Sequence, residues 1–325
     1  MPRPDSAAAK LSSLPLGNGW TVIGEVQRSP AATGGSFSHS YRVRHEDGRL
    51  GFLKAFDFSE AFDPDADTIT VLRLLTTCFE HERDILLHCK DRRHSKVSLP
   101  IVHGRVQVPD LNRMEGTVYY LIFELADGDI RGQVDLSNRF DTLWCMRALT
   151  DVCLGLWQVH REMIAHQDIK PSNVLMYNKA REFRVADFGR ASRLGASAPH
   201  DSHLFPGDGT YAPPEFLYGF ANPDFVKRRI GCDLFMLGNI ACFLFAGINI
   251  MSGLISHLAP QYRPGTWSGT YNQVLPYLNN AFTLTLEDIR SALDADIADG
   301  IMKIIRELCN PDLGFVDKVF QPQAA

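Results

Sequence analysis

The stretch that most constrains this chain is His166-Gln167-Asp168-Ile169-Lys170-Pro171-Ser172-Asn173, followed by Asp187-Phe188-Gly189. Between them, Val174-Leu175-Met176-Tyr177 and Phe183-Arg184-Val185-Ala186 carry strand-forming residues around the polar Asn178–Glu182, a pattern that predicts a hairpin. Centred on Ala180, that hairpin sets Tyr177 against Phe183, Leu175 against Val185, and Asn173 against Asp187. Directly opposed residues have Cβ atoms roughly 5 Å apart, so an amide oxygen and a carboxylate would meet there. Oxygen pairs of this kind suit one or two hard cations such as Mg²⁺. On the entry side, Asp168 and Lys170 are two apart and share a face of an extended loop, which places a proton acceptor beside a cation.

The pattern H-x-D-x-K-P-x-N followed by D-F-G resembles the catalytic and metal-binding loops of the eukaryotic-type (Hanks-type) serine/threonine protein kinases. The resemblance extends from residue 20 to about 312. It implies an α+β, bilobal protein-kinase-like fold, with a small antiparallel-sheet N-lobe over 20–124 and a larger, mainly helical C-lobe over 125–312. Residues 1–19, rich in Pro, Ser and Ala, are expected to form a mobile N-terminal tail without a targeting sequence, and 313–325 a C-terminal tail.

Earlier segments fit the resemblance in order. Thr33-Gly34-Gly35-Ser36-Phe37-Ser38 is similar to the kinase glycine-rich loop, which implies that Gly34, Gly35 and Ser36 approach nucleotide phosphates. The loop departs from the family in having Thr33 and Ser38 where two further glycines would stand. A second hairpin with Asp47-Gly48 at its turn carries Lys54, whose strand face also holds Phe52 and Phe56. An ammonium among aromatics needs a partner. Glu82 sits in an apolar stripe of helical period with Leu72, Leu75, Phe79, Ile85, Leu86 and Cys89. The resemblance pairs it with Lys54, aiming the lysine at the α- and β-phosphates, with Glu80 as the second choice. The acidic insert 57–67 has Asp63-Pro64 as its expected helix start. Phe123-Glu124-Leu125-Ala126 resembles the hinge, so Glu124 and Ala126 are expected to offer backbone groups to the adenine edge. A helix from Thr142 to about Met163, with Leu143, Met146, Leu149, Cys153, Leu156 and His160 along one side, then leads to His166.

In the family's terms, Asp168 is expected to orient the acceptor hydroxyl and take its proton. Lys170 would steady charge on the transferring group, and Asn173 and Asp187 would hold metal. Lys170 points to Ser/Thr acceptors. Gln167 stands where phosphorylation-switched kinases carry Arg, and an amide cannot pair with an added phosphate as a guanidinium can. Activity independent of activation-loop phosphorylation is the corresponding expectation. The loop from Gly189 to Ala212 is rich in Ser, Gly, Ala and His, which predicts mobility. It closes at Gly207-Asp208-Gly209-Thr210-Tyr211-Ala212-Pro213-Pro214-Glu215, similar to the segment under the peptide platform of protein kinases. Pro213 replaces the usual alanine, and Asp208 occupies the position of the family's threonine. No arginine stands out as the partner family members give the glutamate equivalent to Glu215.

Leu234 to Ser256 is long enough to span a bilayer, yet Asn239, Asn249 and three glycines interrupt it. Asp233 opens it in the D-x-x-x-x-G pattern of the central kinase helix, so a buried core helix is expected. Beyond it, 257–285 shows no strong periodicity, and Leu286 to Cys309 predicts two helices. A net charge of −5 and pI near 6.1 argue against a chain built to bind nucleic acid or anionic membrane. Seven cysteines without a C-x-x-C fit a reducing cytoplasm. The reading is an ATP- and Mg²⁺-dependent protein kinase with protein Ser/Thr acceptors and unknown oligomeric state. A pseudokinase serving as a binding module and a small-molecule phosphotransferase remain open alternatives.

Overall fold

In the computed structural model, which describes residues 3–26, 38–133 and 141–312, the chain divides into two compact units, Met1–Asp127 and Gly128–Ala325. The boundary falls just past the Glu124 expected from sequence. Gly34, Gly35 and Ser36 of the glycine-rich segment, and the C-terminal 313–325, lie outside the described residues.

The first unit is built on an antiparallel sheet whose alternating side chains give it two different faces. Strands β1 (Trp20–Glu25), β2 (Ser38–His45), β3 (Leu50–Phe56), β4 (Pro100–Gln107) and β5 (Thr117–Glu124) are arranged in the order β1-β2-β3-β5-β4. At the β2–β3 turn Gly48 adopts φ +91°, which a side chain would strain. Tyr41, Val43, Leu53, Ala55, Val118, Tyr120 and Ile122 share one face and are buried.

That face is covered by the N-terminal segment, which corrects the expected tail. Ala8, Leu11 and Leu16 join the core, and Leu11 is fully buried. The Tyr41 hydroxyl donates to the Ala8 carbonyl at 2.7 Å, and Leu16 and Val22 make backbone hydrogen bonds to Trp20 and Leu14. Spaced apolar residues among Pro, Ser and Ala lack a helical or strand period, so their role emerges only when an uncovered sheet face is present.

The opposite face meets helix α1 (Thr68–Asp91), which buries Leu75, Phe79, Glu82, Ile85, Leu86 and Cys89 at helical spacing. Phe79 packs edge-on to Phe56 at 4.9 Å and against Tyr119 at 5.2 Å. The helix starts at Thr68 rather than Pro64, because Asp67 caps it through the Thr70 amide and hydroxyl.

The second unit is mainly helical, and with the sheet of the first it makes up the α+β class expected. Gly128–Asp129 (β6) pairs with β8 (Val174–Tyr177), which forms a hairpin with β9 (Glu182–Val185). Helix α2 (Thr142–His160) packs on this hairpin: the Phe183 amide donates to Asp151 at 2.9 Å, and Trp144 lies edge-on to Phe183. Its buried face is Cys145, Ala148, Leu149, Val152, Leu156 and Val159, rotated from the expected stripe, and Leu143 is 78% exposed. The expectation followed hydrophobicity alone, whereas the hairpin dictates which side is covered. Short strands β7 (Ile164–Ala165) and β10 (Ser192–Arg193) pair antiparallel.

A four-residue helix, α3 (Pro214–Leu217), precedes α4 (Gly231–Ala246), α5 (Ile250–His257), α6 (Tyr271–Ala292) and α7 (Ala295–Leu308). Helix α4 packs against α2, α6 and α7 and is buried almost all round. The stretch Val226–Ala246 is long and apolar enough to cross a membrane, and 72% of its most apolar window lies inside the protein. Helix α6 begins in a stretch expected to be irregular. Pro276 lies inside it, while Tyr271, Val274, Leu278, Ala281, Phe282, Thr285, Leu286 and Ile289 are buried on one stripe.

Candidate functional site

In the first unit Lys54 and Glu82 meet: the ammonium donates to Oε1 at 2.7 Å and to Oε2 at 2.9 Å. Glu82 is buried and Lys54 only slightly exposed, so each charge depends on the other. Lys54 also lies 5.4 Å from the centroid of the Phe56 ring. Glu124 is the last residue of β5, with an exposed side chain, and Ala126 follows in the connecting segment.

In the second unit, Asp233 in the first turn of α4 organises the loop from His166 to Asn173. Its buried carboxylate accepts from the amides of His166 at 2.7 Å and Gln167 at 2.6 Å, and it sits 2.8 Å from His160 Nε2. Three donors offset the cost of burying that charge. They also hold Gln167 at φ +64°, a conformation non-glycine residues rarely adopt. The Asp168 amide donates to His166 Nδ1 at 3.2 Å, which fixes the tautomer, so that His166 Nε2 donates to the Ala186 carbonyl at 2.9 Å. The same imidazole stands edge-on to Phe188 at 4.6 Å.

Asp168, Lys170 and Asn173 come together beyond that support, and all three are buried. Lys170 Nζ is 3.1 Å from Asp168 Oδ2, and the Asn173 amide donates to the Asp168 carbonyl at 2.7 Å and to Oδ2 at 3.1 Å. The Asp208 amide donates to Asp168 Oδ1 at 2.9 Å. Burial pushes the Asp168 carboxyl above its ordinary value, Lys170 pulls it down, and the neighbouring charge of Asp187 pushes it up again. Asp187 is therefore close enough for its charge to be felt at Asp168.

The hairpin register differs from the expected one by a single residue. Val174 pairs with Val185 and Tyr177 with Glu182, so Asn173 lies opposite Ala186, whose amide donates to the Asn173 carbonyl at 2.9 Å. Three consecutive left-handed residues, Asn178, Lys179 and Ala180, make the turn asymmetric and shift its centre. Asp187 is then redirected by its own φ of +66°, with buried Phe188 as the anchor.

The donor set fits a hard divalent cation. With its amide nitrogen committed to Asp168, Asn173 has Oδ1 as its ligating atom, and Asp187 contributes a partly exposed carboxylate near the same carboxyl group.

Residues 79–262 match the family model described as the protein kinase domain. The chain belongs to the protein kinase domain family. Among curated relatives, it is 31% identical over 188 residues to mitogen-activated protein kinase kinase 5 of Leishmania mexicana, covering 58% of this chain and 32% of that protein. It is 32% identical over 202 residues to cell division control protein 2 homolog 2 of Trypanosoma brucei brucei, with 59% and 56% covered. Identity to cyclin-dependent kinase 9 of Danio rerio is 27% over 185 residues, with 53% and 47% covered. The match thus spans between about a third and just over half of these relatives' own lengths.

Within this kinase domain, Asp208 brings a second carboxylate to Lys170, at 3.6 Å. Gly207 precedes it because a Cβ there would run into the Gln167 carbonyl. The loop before it, expected to be mobile, makes internal hydrogen bonds. His200 is buried with its Nε2 at 3.1 Å from the Ala191 carbonyl, and Asp201 receives the Ala198 amide at 2.7 Å. Its polar side chains supply these bonds.

Sequence reasoning missed Arg229, which is buried and bonded to Gln167. The signal was present in Lys227-Arg228-Arg229, a basic run directly before the most apolar helix. Among the described residues no cation pairs with Glu215, and burial pushes its carboxyl up to about 7.

Proposed function

We propose that this chain is an ATP- and Mg²⁺-dependent protein kinase acting on Ser/Thr hydroxyls of proteins, active without phosphorylation of its activation loop. The observation that carries the reading is the buried cluster of Asp168, Lys170 and Asn173, held by Asp233 through the backbone of His166 and Gln167. Asp168 accepts the proton of the acceptor hydroxyl and orients it, its burial making the carboxylate a better base. Lys170 balances charge on the transferring group. Asn173 and Asp187 are the metal-holding pair, and bound Mg²⁺ would neutralise phosphate charge as it develops. Lys54, fixed by Glu82, is the phosphate-binding cation of the first unit, and Glu124 and Ala126 are its adenine-side residues. Catalysis of this kind is positioning and electrostatics, with no covalent intermediate.

The name of one relative, mitogen-activated protein kinase kinase 5, supports protein substrates. Lys170 supports Ser/Thr acceptors, and seven free thiols support a reducing cytoplasm. The test is incubation with γ-labelled ATP, Mg²⁺ and generic protein acceptors, comparing wild type with Asp168→Asn and Asp187→Ala. Labelled protein in wild type, reduced at least about a hundredfold in both variants, is the expected result. Label in none would favour the binding-module alternative, and label confined to small hydroxyl compounds the small-molecule phosphotransferase.

A further inference from the structure

Gln167 sits between His166 and Asp168 and has every polar atom of its side chain engaged. Its Nε2 donates to the Arg190 carbonyl at 2.9 Å and to Ser192 Oγ at 2.7 Å, while its Oε1 accepts from Arg229. Arg229 comes from the π-helical turn Val226–Ile230 that leads into α4. Its other amino group lies 3.4 Å from the Asp201 carbonyl and 3.6 Å from Asp201 Oδ1. The ring closes through Ser192, whose hydroxyl donates to Asp201 Oδ1 at 3.2 Å. Four side chains thus join the catalytic loop to the activation loop and to the start of the central helix. The neighbouring Arg228 adds two bonds, to the carbonyls of His203 and Leu204, both at 3.1 Å.

The chemistry of the ring explains why residue 167 is an amide. A buried guanidinium at 229 needs acceptors, and an arginine at 167 would set two like charges side by side. An amide accepts from the arginine at one end and donates to the loop at the other. Among the described residues, the carboxylate that balances Arg229 is Asp201, which belongs to the loop itself.

We propose that Asp201 is a permanent counter-anion for Arg229, and that the ring Gln167–Ser192–Asp201–Arg229 holds the activation loop against the catalytic loop without any added phosphate. Asp201 and Arg229 are positioning residues: neither touches the reacting groups, and each acts through Gln167 on the residue beside it. This inference rests on the protein-kinase reading, yet its central measurement does not require turnover.

The test uses the full chain, treated with phosphatase and verified phosphate-free by intact mass, as wild type, Asp201→Asn and Asp201→Glu. Asp201 is 41% exposed at its side chain, so these changes leave the core alone. Hydrogen exchange of the segment 191–203 is the primary readout. Wild type is expected to stay protected without phosphate. Asp201→Asn should exchange about tenfold or more faster in that segment, as a charge-assisted bond is lost, with protection elsewhere unchanged. Asp201→Glu should restore most of it. In the labelled-ATP assay, kcat should fall by about tenfold in Asp201→Asn, with KM for ATP unchanged, since the ring serves catalytic-loop geometry.

Exchange in Asp201→Asn equal to wild type would overturn the proposal, as would loss of protection in wild type on removal of phosphate. Protection that follows the carboxylate in all three proteins, with no phosphoryl transfer in any, would support the ring and overturn the transferase reading alone.

Discussion

Single charges in this molecule are decided by their neighbours more than by their type. Asp233 and Glu215 are both acids packed in the second unit, yet Asp233 takes two amides and lies against an imidazole, whereas at Glu215 burial outweighs the pull of its own backbone amide. With its carboxyl pushed up to about 7, Glu215 binds a proton more tightly folded than unfolded. Its cost is absent below the ordinary glutamate value and grows as pH rises through about 7. Glu215→Gln should therefore stabilise the chain by about 1–3 kcal/mol near pH 8 and change little near pH 4, measured as the shift in denaturation midpoint at each pH. Equal effects at both pH values would show that packing, not charge, governs the site. Asp168 and Lys170 show the opposite arrangement, an acid and a base that share one buried site and are legible as a pair from their spacing alone. Asp201 was not legible in that way, because nothing in a Ser- and His-rich loop says which carboxylate will find a distant arginine.

Elements carry the next level of determination, and the N-terminal segment is the clearest case. Its three core residues, Ala8, Leu11 and Leu16, cover a sheet face made by strands that begin at Trp20. Removing residues 1–16 should expose that face. Leu11→Ala, which truncates a fully buried side chain, should cost about 2–5 kcal/mol in denaturant unfolding. A mobile tail would give no measurable change. Helix α1 was readable because its apolar residues recur with a regular period, and Glu82 stood out as the charge within that stripe. Helix α2 was readable as a helix but not in its orientation, since Leu143 and Met146 are exposed while Cys145 and Ala148 are buried. The β8–β9 hairpin was placed correctly as an element and one residue off in register, because three left-handed turn residues cannot be recognised from Asn-Lys-Ala.

At the level of the whole molecule, burial of the free thiols gives a test that involves no catalysis. Cys89, Cys145, Cys232, Cys242 and Cys309 are buried, Cys78 is intermediate and Cys153 exposed. Two of the buried thiols are also anchored by hydrogen bonds, Cys145 to the Leu244 carbonyl and Cys309 to that of Phe235. Native chain exposed to a maleimide should label first at Cys153, then slowly at Cys78. The other five should react only on unfolding, read as intact mass against time. Rapid native labelling at Cys232 or Cys242 would mean that α4 is not the buried centre of its unit. The length and apolarity of that helix cannot distinguish a bilayer from a protein interior. Its surroundings, α2, α6 and α7, do.

Taken alone, the order of residues determined the family, the α+β class, the meeting of Lys54 with Glu82 and the clustering of Asp168, Lys170 and Asn173, because chemistry at fixed short spacing survives in one dimension. Left to tertiary structure were the covering of the first sheet by residues 3–19, the one-residue shift of the hairpin, and the charge balance at Glu215 and Arg229. Each of these depends on a contact between residues far apart in sequence or on a left-handed turn. Local propensity and periodicity are blind to both.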